Sequence, residues 1–106
     1  MKGNPRLIDH SATMDAIRAF TKALAQSLAA RHIRVNCVAS GPTWTPFIPM
    51  SEPAEQVARH GQGTPMGRPG QPEEVAPAFV FFALEADSSY ITGEVLTLLG
   101  GQMTAA

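Results

Sequence analysis

The chain has 106 residues, 44% of them hydrophobic and 16% charged, which excludes a disordered segment and bounds it to one small domain, 1–106. A formal net charge of -1 with scattered Lys and Arg gives no basic footprint for nucleic acid, and no stretch approaches the roughly 18 apolar residues of a membrane span. The single Cys37 excludes an internal disulfide, and the first residues lack the apolar run of a signal peptide, so the expected compartment is the cytoplasm.

Residues 1–8 are polar and hold Gly3 and Pro5, predicting an extended lead. The segment 9–28 predicts a long α-helix: Ile17, Phe20, Leu24 and Leu28 recur at steps of three and four, with Arg18, Lys22 and Gln26 off that stripe. Ala12, Ala16, Ala19 and Ala23 widen the apolar face, so packing on two sides is expected. Asp9 or Ser11 is expected to cap its first turn. Ile33, Val35 and Cys37 alternate with Arg34 and Asn36, which predicts a β-strand over 33–39. Ser40-Gly41-Pro42 ends it, and Pro46, Pro49 and Pro53 predict irregular structure over 43–53, followed by a short helix over 52–59. The run 61–70, dense in Gly and Pro, is expected to be flexible. Pro72 opens a second long helix with Glu73 and Glu74 at its positive end. Val75, Ala78, Phe79, Phe82 and Ala83 are its expected buried side, and Pro77 is expected to bend it. Asp87-Ser88-Ser89 breaks that helix, Tyr90-Ile91-Thr92-Gly93 turns, and 95–99 predicts a second buried strand closed by Gly100 and Gly101. The sum is an α/β chain, a partial Rossmann-like fold with two parallel strands.

Several of these motifs carry a family resemblance. H-S-A-T-M-D-A-I-R-A-F-T-K-A-L-A over 10–25 resembles the catalytic helix of short-chain dehydrogenases and reductases, R-V-N-C-V over 34–38 their sixth strand, and S-G-P-T-W-T over 40–45 the loop after it. M-G-R-P-G-Q-P-E-E-V-A over 66–76 and S-S-Y-I-T-G-E-V-L over 88–96 are similar to the segments leading to the last helix and last strand. The resemblance implies the C-terminal part of such an enzyme, about two fifths of it, without the Gly-rich phosphate loop or the catalytic Ser. It also implies two replacements. His10 stands where the family has its catalytic Tyr, and Met14 stands where it has the Lys that lowers the tyrosine pKa and holds the nicotinamide ribose. Ser40 replaces the family's Pro in the loop.

The candidate site residues follow. His10 is the one group at the old active centre able to do acid or base work, weighed against an exposed histidine at a helix start. Gly41, Thr43 and Thr45 are the remnant of a cofactor loop, which the family would use for the nicotinamide amide and the pyrophosphate. NAD(P) is implied by the family alone, and with the phosphate half missing no cofactor is expected. Asp9, His10 and Ser11 are consecutive and point in different directions on a helix, so a local hydrolytic triad is not expected. His32, His60 and Cys37 lack zinc spacing and read as two surface histidines and a strand cysteine. The expected function is a self-associating module without ordinary NAD(P)-dependent activity, a homodimer or tetramer through the 9–28 helix and the last strand. The alternative is an enzyme, either an oxidoreductase completed by a partner chain or a small hydrolase recruited through His10.

Overall fold

The run from residue 8 to residue 28 holds neither Gly nor Pro and five alanines, a composition that favours helix. In the computed structural model, which describes residues 8–103, it is a single helix, α1 (Ile8–Leu28). Residues 1–7 of the expected lead lie outside the described residues. Asp9 and Ser11 are inside the helix, not at its cap, and Thr13 Oγ1 donates to the Asp9 carbonyl at 2.8 Å. The helix ends in a tight 3₁₀ turn (Ala29–Arg31), after which His32 takes the left-handed conformation at φ 58° and its N–H donates to the Ala29 carbonyl.

The face α1 presents inward differs from the expected stripe. Thr21 and Ala25 are buried, and Met14, Arg18, Leu24 and Leu28 are half-buried beside them, whereas Ile17 and Phe20 are 44% and 63% exposed. Arg18, expected off the apolar stripe, is thus on the inward face. Thr21 can be buried because its hydroxyl donates to the Ile17 carbonyl within the helix, at 2.8 Å.

Strand β1 (Cys37–Ser40) starts later than the expected residue 33. Side chains hold the segment before it where a ladder was expected: Val35 N–H donates to Thr92 Oγ1, Asn36 Nδ2 to the Ile91 carbonyl, and Glu94 N–H to Asn36 Oδ1. Strand β2 (Val95–Leu98) pairs with it in parallel, Cys37 opposite Val95 and Ser40 opposite Leu98. Among the described residues this sheet has two strands, so each strand has one open edge.

Four short or medium helices connect the strands. α2 (Phe47–Ser51) lies within 43–53, which the prolines were expected to keep irregular; Pro46 is its N-cap and Pro49 sits in its first turn, where a missing N–H costs nothing. α3 (Ala54–Arg59) follows as expected. The 61–70 run is not loose: Thr64 is buried, its Oγ1 lies 2.9 and 3.0 Å from the Gly61 and Arg68 carbonyls, and it accepts from Gly67 N–H at 3.1 Å. α4 (Pro72–Ala83) continues through Pro77, buries Ala78, half-buries Val75 and Phe82, and leaves Phe79 and Ala83 exposed. A four-residue helix, α5 (Glu85–Ser88), stands where a break was expected. Arg18 of α1 shares a cleft with Ala39 and Thr97, and Val75 of α4 shares a cavity with Leu98, a neighbour of opposite facing. The two long helices therefore cover opposite faces of the sheet.

Candidate functional site

The loop after β1 is built by backbone first. Gly41 N–H donates to the Leu98 carbonyl at 2.8 Å, extending the ladder, and any Cβ at Gly41 would come within 3.2 Å of the Leu99 backbone. The next turn is locked to the 61–70 segment by a parallel bridge between Thr43 and Gly70: Trp44 N–H donates to the Gly70 carbonyl at 2.9 Å, and Gly70 N–H to the Pro42 carbonyl at 2.8 Å. Thr43 Oγ1 turns back to the Gly41 carbonyl at 3.1 Å. Thr45 is half-buried, and its carbonyl accepts from Ile48 N–H at the start of α2.

Two residues join this loop that sequence reasoning left out. His60, expected at the surface, is half-buried, with Nε2 3.3 Å from the Thr43 carbonyl and its ring centroid 6.3 Å from that of Trp44. Gly70 supplies both hydrogen bonds of the bridge. Both contacts join residues far apart in the chain, so no local spacing announces them. A cavity of about 210 Å³ lies behind the loop, lined by Pro42, Thr43, Thr64, Val75 and Leu98 and closed by a two-point ion pair between Arg68 and Glu74. The Arg68 guanidinium and the Gln71 N–H hold the Glu74 carboxyl well below the usual range, at about 2.

His10 and Met14 lie on α1, one turn apart. His10 is exposed, Met14 is half-buried, and no hydrogen bond or ion pair joins His10 to Gly41, Thr43 or Thr45 among the described residues. Hydrogen bonds thus join Gly41 and Thr43 with His60 and Gly70. A thioether at Met14 offers no charge to a ribose, and the Thr43 hydroxyl and carbonyl are engaged within the fold, by the Gly41 carbonyl and by His60 Nε2.

Comparison with known proteins bears on this arrangement. Residues 3–102 match the family model described as Enoyl-(Acyl carrier protein) reductase. The chain is 56% identical over 99 residues to General stress protein 39 of Bacillus subtilis, covering 93% of this chain and 34% of that protein. It is 52% identical over 105 residues to the NADPH-dependent aldehyde reductase 1, chloroplastic, of Arabidopsis thaliana, covering 99% and 36%. Among solved structures, a 3-oxoacyl-[acyl-carrier protein] reductase with bound NAD from Brucella melitensis superposes with a TM-score of 0.73 at 38% identity, over 90% of this chain and 33% of that one. The chain spans about a third of the length of the curated relatives it matches. With its α/β elements, its parallel strand pair and its altered catalytic helix, the chain belongs to the short-chain dehydrogenase/reductase family and corresponds to the C-terminal part of that fold.

Proposed function

We propose that this chain is a short-chain dehydrogenase/reductase module that carries out no ordinary NAD(P)-dependent oxidoreduction by itself and acts by self-association. One observation carries the reading: α1 bears His10 and Met14, one turn apart, where the family has its Tyr and Lys. In that chemistry a phenol gives its proton to the carbonyl oxygen as hydride arrives, and a neighbouring ammonium lowers the phenol pKa towards neutrality. Met14 holds no charge at any pH, so that tuning is absent whatever proton His10 donates. Self-association is supported by Ile17 and Phe20, which α1 turns outward, and by the open edge of β2. The proposed compartment is the cytoplasm, in keeping with the free Cys37 thiol; no helix among the described residues is long and apolar enough to cross a membrane.

A second reading is favoured by the open edge of β1. An oxidoreductase completed by a partner chain would place a strand there, as the two thirds of the relatives that this chain does not span would allow. One experiment tests the first reading directly. The chain is incubated with NADH or NADPH and a panel of carbonyl substrates while the intrinsic fluorescence of Trp44, 39% exposed beside the loop, reports cofactor binding. No turnover and no change in fluorescence are expected; measurable reduction of any substrate by the chain alone overturns the first reading.

A further inference from the structure

A cleft of about 580 Å³ opens on the α1 side of the sheet where both strands end, lined by Arg18, Ser40, Thr97, Leu99 and Gln102 among others. The carboxyl ends of parallel strands are where open α/β sheets hold ligands. Arg18 is the one charged residue of the lining, and no carboxylate faces it from β1, β2 or the 63–65 segment. Along α1, Asp9 and Asp15 are exposed and outside the lining. Arg18 is half-buried, and its guanidinium has no hydrogen-bond or ion-pair partner among the described residues. A guanidinium carries five N–H donors in a planar fork, so one without an internal partner is free to take an external acceptor.

Three further observations point the same way. The side chains of Ser40, Thr97 and Gln102 also lack a hydrogen-bond partner among the described residues, which leaves hydroxyl and amide donors around the cation. Part of the wall is bare backbone. Gly101 has φ +93°, and a Cβ there would sit 2.9 Å from Pro65 Cβ. Finally, Arg18 interrupts the inward stripe of α1 between Met14 and Thr21, where packing alone calls for an apolar group. A residue that breaks the local pattern with no internal partner marks a site more often than a core.

We propose that this cleft binds a compact oxyanion, a phosphate- or carboxylate-bearing small molecule, with Arg18 as its charged anchor. Binding is independent of self-association, because Ile17 and Phe20 lie on the outward side of α1. The full chain, labelled with ¹⁵N, is titrated separately with inorganic phosphate and with malonate, ionic strength being held constant with sodium chloride. Saturable shifts are expected at the Gly41, Thr97 and Gly101 amides. Arg18→Gln should weaken binding about tenfold or more, the loss of a charge-assisted contact. Arg31→Gln, a change at an exposed arginine outside the cleft, should leave binding unchanged. Saturation by phosphate alone assigns a phosphorylated ligand, and saturation by malonate alone a dicarboxylate. Shifts no larger than the chloride control, or undiminished binding in Arg18→Gln, overturn the proposal. Should circular dichroism show that Arg18→Gln does not fold, Thr97→Ala takes its place, and undiminished binding there overturns it equally.

Discussion

Ser88 is 1% exposed, and its Oγ lies 2.8, 3.2 and 3.0 Å from the carbonyls of Phe81, Phe82 and Leu84 while accepting from Arg34 Nη1 at 2.9 Å. The one hydroxyl proton has three carbonyls within reach at the end of α4 and can serve one of them at a time, and the same oxygen ties that end to the segment before β1. Ser88→Ala leaves both Arg34 and the carbonyls short of a partner, at a cost of about 1–3 kcal/mol; urea denaturation should show the midpoint falling. Glu74 gives a pH dependence whose sign follows from its pKa. The folded value is depressed from 4.5 to about 2, so the contribution of its pairing is present above 4.5 and is lost as pH falls towards 2. Thermal unfolding measured across that window should weaken steadily in the natural chain and more shallowly in Glu74→Gln. At the old active centre, His10→Tyr combined with Met14→Lys should restore no carbonyl reduction, because among the described residues nothing cradles the dinucleotide phosphates; turnover in the double variant would show that the helix alone limits the chemistry. These two positions were legible in the sequence because register on a helix fixes them. His60 and Gly70 were not, since what gives them a role is a contact with Thr43 across the fold.

The same division runs through the elements. α1, α4 and β2 could be read because each has a period, a cap or an apolar run that acts within a few residues: Pro72 at the start of α4, or the largely apolar run over 95–99. How far each residue of the α1 stripe is covered could not, because Ile17, Phe20, Leu24 and Leu28 satisfy one helical period equally, and the cover each receives depends on neighbours far away in the chain. β1 is shorter than its alternation predicts because Asn36 and Thr92 replace ladder bonds with side-chain bonds, a substitution that alternation does not reveal. The 61–70 segment was read as loose from its glycines, yet one of them is there for the opposite reason. Gly61 sits at φ +78°, and a Cβ added to it would lie 2.3 Å from Pro69 N. Gly61→Ala should therefore destabilise the chain by about 1–3 kcal/mol from the left-handed backbone alone, with the clash in addition. Hydrogen exchange at Thr64 and Gly67, whose N–H groups are bonded within that segment, should accelerate in the variant; protection equal to that of the natural chain would show that the backbone there can relax.

For the chain as a whole, the apolar residues fully buried among the described ones are Ala25 and Ala78, while Ile17, Phe20, Phe79, Val80 and Leu84 remain between 44% and 63% exposed. A two-stranded parallel sheet with both edges open adds unpaired N–H and C=O groups to that surface. Of these five, Ile17 and Phe20 lie on α1 and Phe79, Val80 and Leu84 on or just after α4. On α1 the small residues Ala16, Ala19 and Ala23 flank Ile17 and Phe20, which lets a second helix approach closely, with Leu24 one turn beyond Phe20 on the same stripe. Covering what remains exposed of Phe20 and Ile17 is worth about 1–2 kcal/mol each, and a two-fold axis covers every such side chain on both copies at once. The expected outcome is a homodimer through α1, extended to a tetramer if α4 and the edge of β2 also pair. Sedimentation velocity at micromolar concentration should give at least twice the 11.3 kDa of the chain. Ala19→Glu and Ala23→Glu, each placing a charge on the outward face, should shift the population to the monomer without loss of helix content by circular dichroism. A folded species of 11.3 kDa that neither change affects would mean that these side chains are covered by something other than a second copy of α1.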